Sequence, residues 1–449
     1  MVKRCVIIFL VLNTLFLNAQ IVDDSYVRQH YTKKSYNIPM RDGVKLYTLV
    51  YTPKDTSKTY PILLNRSCYN ASSHDNFQTN GQPSDYLVKD RYILVYQDVR
   101  GRYMSEGEFT TLTPNIPGND LQDTGAIDES SDTYDTIDWL IKKLSNNNKK
   151  VGVFGISYPG FYTAAALPNA HPALKAASPQ APISDFFFDD FIHNGAYLLS
   201  YTAAFPVFGY QKSGLTKKPW YTEKLNRFWG NPPKDAYEFY LDLGPLKNIT
   251  KKYHYDNFFW NEMINHPNYD TFWQKRNILQ HLNNITPAVM TVGGWYDAED
   301  LYGPLSIYKT IEKNNPKAQN TIVMGPWAHG DWAREKGKHV HNHIYYGDSI
   351  STFYQKNIER KFFAYHLKGD DINPMPEAYM YDTGIKQWQT FGVWPPKNTT
   401  KVKLYFDKKG VLVINRPAAA NQVFKYISDP ANPVPYRSET EGLTFTPRK

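Results

Sequence analysis

The sequence predicts an α/β fold, and three observations carry that expectation. Short apolar runs bounded by Gly, Pro or Asp recur at 45–51, 61–65, 92–97, 150–154, 288–293 and 321–325, as strands buried on both faces require. Helix-compatible stretches lie between them at 133–144, where Ile137, Leu140, Ile141 and Leu144 share a face, and at 158–167; such alternation implies crossover connections in a parallel sheet. The composition, 41% apolar and 21% charged over 449 residues, is that of a globular chain and excludes a disordered, collagenous or polytopic membrane protein. Aromatic residues reach 15%, enough for large cores and aromatic-lined pockets.

Taken in order, residues 1–19 read as a targeting segment. Lys3 and Arg4 precede an apolar run from Val6 to Leu17, and Ala19 offers a cleavage site, the pattern of a cleaved secretory signal. The expectation is a secreted or periplasmic protein without a stable membrane anchor. Removing Lys3 and Arg4 lowers the net charge from +8 to +6, and no dense Lys/Arg run remains, which argues against nucleic-acid binding. Of the two cysteines only Cys68 survives cleavage, so no internal disulfide can form.

Residues 20–35 are polar and predict an extended arm. The catalytic α/β domain is assigned to 36–375. Its regularity breaks at about 186–285, rich in Phe, Tyr, Trp and Asn with helix-like pieces at 234–243 and 269–282; an insertion of this size predicts a helical cap over the substrate cavity. From 376 to 449, strand-like segments at 402–406, 411–414 and 423–426 predict an all-β domain, too short for a complete eight-stranded sandwich.

The chemistry concentrates around Gly155-Ile-Ser157-Tyr-Pro-Gly160. A β-rich run enters, Ser157 sits at the tip and a helix-compatible segment follows, which is the context of a nucleophile elbow. Pro159 stands where Gly is usual, and is tolerated because an early helical N–H has no intrahelical acceptor. Tyr158, not being proline, keeps the amide that an oxyanion needs. A serine hydroxyl requires a base oriented by a carboxylate. Two later strands end in candidates: Ala288 to Asp297 in an aspartate, and Thr321 to Gly330 in the loop histidine His329. The order Ser, acid, His is that of this architecture. Among the other histidines, His171 is expected to be structural and His193 to line the cavity.

Gly-x-Ser-Tyr-x-Gly at 155–160, Gly-Gly-Trp-Tyr-Asp at 293–297, Gly-Pro-Trp-x-His-Gly at 325–330 and Gln97-Asp98-Val-Arg100-Gly101 resemble the α-amino acid ester hydrolases. That family belongs to a wider group with cocaine esterase, glutaryl-cephalosporin acylases and Xaa-Pro dipeptidyl peptidases. The resemblance implies an α/β-hydrolase domain, a helical cap and a C-terminal jelly roll, truncated here. It implies Ser157 as nucleophile, His329 as base and Asp297 as orienting acid, with Tyr69 and the Tyr158 amide as the oxyanion hole. It also implies that Asp190, Glu299 and Asp300 form a carboxylate cluster for the substrate's α-ammonium, a charge-based choice that disfavours anionic acyl groups such as glutaryl. Without the resemblance, Glu299 and Asp300 read equally well as helix-start residues.

The expected activity is hydrolysis of α-amino acid esters and related amides, including β-lactam side chains, without cofactor or metal. The alternatives are an Xaa-Pro dipeptidyl peptidase, a glutaryl/cephalosporin-type acylase and a non-catalytic aromatic-rich binding protein. A zinc site at His339, His341 and His343, on one face of a strand, ranks lower, because the segment is basic and lacks a glycine-bounded strand. The expected partner is a small acyl substrate; homo-oligomerisation is left open.

Overall fold

The computed structural model describes residues 22–440 apart from 76, 78–82, 117–124, 230–234, 335–337, 342, 371–374, 408–409, 418–422, 424 and 436–439. The predicted signal segment 1–19 therefore lies outside the described residues. Ten strands make one mixed sheet: β1 Tyr31–Pro39, β2 Lys45–Pro53, β3 Tyr60–Ser67, β4 Ile93–Asp98, β5 Asn147–Ile156, β6 Leu174–Gln180, β7 Ala288–Gly294, β8 Asn320–Gly325, β9 Ala378–Asp382 and β10 Gln387–Phe391. Their order across the sheet is β1-β2-β4-β3-β5-β6-β7-β8-β9-β10. Neighbours from β4 through β9 are parallel, while β1/β2, β2/β4 and β9/β10 are antiparallel.

Strand residues alternate between two cores, as a period of two dictates. Ile62, Leu64, Val95, Val151 and Val153 face one side with Ile137 and Leu140 of the helix Glu129–Lys143. Leu63, Leu94 and Phe154 face the other with Phe363 and Leu367. At about 1.5–3 kcal/mol for each fully buried side chain, these two layers are the main support of the sheet. The helix begins at Asp128, which caps the Ser131 N–H while the Ser131 hydroxyl caps Asp128 in return.

Between β6 and β7 runs the predicted insertion. It contains short helices, among them Phe205–Phe208, Thr222–Trp229, Ala236–Leu243 and Phe258–Asn265, packed through Phe205, Phe259, Trp260 and Trp273 onto Phe186 and Phe191. The continuous helix expected over 269–282 is instead two short turns, Thr271–Gln274 and Ile278–His281. Asp270 and Asn277 are the reason: each side chain accepts a backbone N–H two residues on and starts a new turn.

Two boundaries differ from expectation. The arm at 20–35 is not simply extended where it is described, since Asp24–His30 is helical, capped by Asp23, and Tyr31 already begins β1. The second domain does not begin at 376. Ala378 pairs with Ile322 in parallel register, and Ala378 and Met380 are buried with Met324 and Tyr308, so β9 and β10 complete the main sheet. Past Phe391 the described residues form one two-stranded hairpin, Tyr405–Asp407 with Val411–Val413, and no sandwich. Phe406, Val411 and Leu412 stay exposed, Phe406 at 76%. Among the described residues no helix is long and apolar enough to cross a membrane.

Candidate active site

Strand order reverses direction at β3 and β5, whose onward connections leave to opposite sides; ligands of open α/β sheets bind at such a point, beyond the carboxyl ends of the strands. Tyr69 follows β3 and Ser157 follows β5. Asp297 follows β7 and His329 follows β8, whose last residues Gly294 and Gly325 are paired. All four predicted positions therefore leave the same edge of the sheet.

Ser157 occupies a tight strand-to-helix turn with φ 67° and ψ −128°, backbone geometry that costs a non-glycine residue roughly 1–3 kcal/mol. The turn is over-determined by its neighbours: the Ser157 N–H donates to the Gln180 carbonyl, and the Ser157 carbonyl accepts from Phe161. Two glycines make it sterically feasible. A Cβ on Gly155 would stand 2.4 Å from the Pro159 carbonyl oxygen, and one on Gly160 would stand 2.5 Å from that of Gln180. The glycine displaced to 160 by Pro159 thus has a packing reason of its own. Tyr158 is the first residue of the helix Tyr158–Ala165, where an N–H has no intrahelical acceptor. Its ring is buried, and its hydroxyl accepts the Leu112 N–H.

His329 Nδ1 and Asp297 Oδ2 are 2.8 Å apart. The other oxygen of Asp297 accepts the N–H groups of Glu299 and Asp300 at 2.9 and 3.0 Å. Burial alone would raise the Asp297 carboxyl, but the His329 charge and these donors outweigh it and hold it below the usual range. Burial would likewise lower the His329 imidazole; the Asp297 and Glu299 carboxylates outweigh it and raise it to about 9. Glu299 Oε2 lies 3.8 Å from His329 Nε2, and Asp300 Oδ2 3.8 Å from Nδ1. The structure thus joins Asp297 to His329.

Tyr69 has 42% of its surface open. Desolvation first, then nearby Cys68, Tyr158, Glu299 and Asp190, hold its hydroxyl well above the ordinary phenol value, so it remains a donor at neutral pH. Its ring meets Tyr158 edge-on at 6.5 Å. Cys68 is fully buried, which raises its thiol to about 12, as a small core side chain.

Asp189 and Asp190 lie in a π-helical turn, Phe187–Phe191, and divide the work that neighbouring identical residues left ambiguous. Asp189 accepts from Ser184 N and Oγ, Asp185 N and Gly303 N, tying the start of the cap to the helix Tyr302–Asn314. Asp190 bonds to the Tyr201 hydroxyl, while its Oδ2 has no hydrogen-bond partner among the described residues. Neither carboxylate oxygen of Asp300 accepts a hydrogen bond among the described residues, although the side chain is fully buried. Burial and the mutual repulsion of these acids hold Asp190 and Asp300 well above ordinary carboxyl values. Tyr201 and Asp189 were not singled out in the sequence; only the cap's folding back shows what they touch.

His171 is structural, with Nδ1 accepting the Ala173 N–H at 3.0 Å, and His193 is half-buried with Nε2 against the Asp189 carbonyl. The premise of the zinc alternative does not hold. Lys338–His341 pairs with Ile344–Asp348 as a hairpin, and His343 lies in the turn between the strands, so the three histidines do not share a strand face. Among the described residues no group of three His, Cys, Asp or Glu side chains is arranged to hold a metal ion.

A strand-to-helix turn bearing Ser157 and a carboxylate-bound His329 both leave the carboxyl edge of a large mixed sheet, an arrangement of the α/β class of hydrolases. Within that class, the chain belongs to the X-Pro dipeptidyl-peptidase (S15) family, whose profile matches residues 42–331. It is 26% identical to cocaine esterase of Rhodococcus sp. (strain MB1 Bresler) over 423 residues, covering 89% of this chain and 67% of that protein. It is 21% identical to the Xaa-Pro dipeptidyl-peptidase of Ligilactobacillus salivarius over 340 residues, 72% of this chain and 37% of the peptidase. Among solved structures, an α-amino acid ester hydrolase superposes with a TM-score of 0.81 at 30% identity, over 96% of this chain and 70% of that one. An aminopeptidase from a marine sediment Thaumarchaeota archaeon gives 0.78 at 32%, over 92% and 67%. The chain is thus shorter than each of these relatives. Family members are hydrolases of esters or peptides.

Proposed function

We propose that this protein is an exported serine hydrolase that cleaves esters, and related amides, of α-amino acids. The observation that carries the substrate class is the pair of buried carboxyl groups, Asp300 and Asp190, with oxygens that accept no hydrogen bond among the described residues, near the His329–Asp297 pair. Buried carboxyl oxygens without hydrogen-bond donors are costly; a substrate α-ammonium would supply the missing donors. Glu299, bordering the imidazole, extends the same negative field.

In this reading Ser157 attacks the acyl carbon, and His329 Nε2 takes the hydroxyl proton while Asp297 holds Nδ1. Tyr69 and the Tyr158 amide donate to the developing oxyanion, each worth about 3–4 kcal/mol. His329 then returns the proton to the leaving alcohol or amine, and water or an acceptor amine resolves the acyl-enzyme. The serine–histidine bond is expected to tighten only with substrate in place. No metal or organic cofactor takes part.

The test is hydrolysis of phenylglycine methyl ester by the full chain and by Ser157→Ala. Turnover lost in the variant, with an unchanged fold, supports the reading; near-normal turnover ends it. A second reading, release of Xaa-Pro dipeptides, is favoured by the family profile and also needs an ammonium site. Faster cleavage of Ala-Pro p-nitroanilide than of the amino ester would establish it. The acid cluster counts against a glutaryl acylase, because an anionic acyl group would meet like charge.

A further inference from the structure

The motif Gln97-Asp98-Val-Arg100-Gly101 has so far been given no role, and its structure grips the loop that carries Tyr69 on both sides. On one side, Asp98 Oδ1 accepts the Ala71 N–H at 2.6 Å while Oδ2 accepts the Met104 N–H at 3.2 Å. On the other, just past the motif, Arg102 Nε donates to the Cys68 carbonyl at 3.0 Å. Between these two anchors stand only Tyr69 and Asn70, and Asn70 has φ 84°, a left-handed backbone that a free loop would relax.

Arg102 is fully buried, and neither Nη1 nor Nη2 has a hydrogen-bond partner among the described residues. Its guanidinium instead lies 4.7 Å from the Phe109 ring and 4.5 Å from that of Trp220, cation–π contacts that strengthen when desolvated. Trp220 belongs to the cap. The same cap segment also meets the Tyr69 loop, where Asn70 Nδ2 donates to the Lys217 carbonyl at 3.0 Å, and the segment after the motif, where the Tyr103 and Tyr221 hydroxyls are 2.9 Å apart. A buried guanidinium whose two Nη atoms find no hydrogen-bond acceptor among the described residues is a costly arrangement unless the position it fixes matters.

We propose that Asp98 and Arg102 are positioning residues that set the Tyr69 hydroxyl for the reaction, with the cap's Trp220 locking the brace from outside. This rests on Tyr69 being an oxyanion donor. A donor displaced by about 1 Å loses much of its effect on the transition state while leaving ground-state binding in place.

The experiment is a set of double-mutant cycles on the full chain with p-nitrophenyl acetate, a neutral ester that does not engage the acid cluster. Asp98→Asn and Arg102→Lys are each expected to lower kcat about 10-fold with KM within about twofold. In a Tyr69→Phe background the same substitutions should lower kcat less than about twofold, because the donor they position is already gone. Should Arg102→Lys not fold, Trp220→Leu loosens the same box and is expected to show the same dependence on Tyr69. Equal fold-losses in both backgrounds would mean that the brace only supports the fold, and would overturn the proposal alone. A Tyr69→Phe variant as active as the parent would overturn the oxyanion reading first, and this proposal with it.

Discussion

Asp297 receives His329 Nδ1 on one carboxylate oxygen at 2.8 Å and the backbone N–H groups of Glu299 and Asp300 on the other. Asp297 is thus committed on both oxygens, and its Oδ2 fixes the Nδ1 edge of the His329 imidazole. Asp297→Asn keeps the shape but offers an N–H where an acceptor is needed. We expect kcat to fall by about 10⁴ with the far-UV circular dichroism unchanged. A loss below tenfold would show that the histidine is oriented by something else.

The carboxylates around His329 make a pH prediction. Because Asp297 and Glu299 outweigh burial and hold the imidazole up at about 9, the base is largely protonated at neutral pH. With p-nitrophenyl acetate, kcat/KM should climb as pH rises and level off only above about 9. Glu299→Gln removes one of the charges and should move this limb to lower pH. The stability linkage has the opposite direction: a His pKa raised on folding stabilises fully below the unfolded value of 6.5, and that contribution disappears as pH rises through about 9. A limb at 6.5 that ignores the Glu299 substitution would contradict this account.

Charge recognition should separate cleanly from catalysis. Replacing Glu299 and Asp300 together with Gln and Asn is expected to raise KM for phenylglycine methyl ester at least tenfold, against no more than about twofold for an acetate ester, since only the former presents an ammonium. Equal effects on both substrates would assign these acids to the fold.

Strain at Ser157 gives a stability prediction independent of substrate. Its φ of 67° is adopted freely by glycine but not by alanine. Ser157→Gly should therefore be more stable than Ser157→Ala by about 1 kcal/mol, read as a higher Tm, while both are inactive and fail to label with a fluorophosphonate. Labelling of either variant would place the nucleophile elsewhere.

The close approach at Gly160 is a second structural test. A Cβ there would meet the Gln180 carbonyl at 2.5 Å, the same carbonyl that receives the Ser157 N–H. Gly160→Ala should cost about 1–3 kcal/mol and lower kcat by shifting the elbow. An unchanged Tm and rate would show that the turn can give way at no cost.

Much of this was legible in the chain because it is local chemistry. Gly155, Ser157 and Gly160 announce a tight strand-to-helix turn by their spacing alone, and the apolar runs that became β2 to β5, β7 and β8 are continuous because both faces of these strands are covered. The short segment 378–382 was read as part of a separate domain, since nothing in five residues says that Ala378 will lie beside Ile322. The helix expected at 269–282 failed for a local reason, the capping power of Asp270 and Asn277, which outweighed its apolar spacing.

Residue order alone determined the strand-to-helix turn at Ser157 and the alternation that makes a parallel sheet, because each depends on neighbours a few positions apart. Tertiary structure decided which of Asp189 and Asp190 keeps a vacant oxygen, that Glu299 borders the His329 imidazole, and that Arg102 is boxed by a cap tryptophan more than a hundred residues away. Those are matters of electrostatics and packing across space, where the energy depends on distances that no linear spacing encodes.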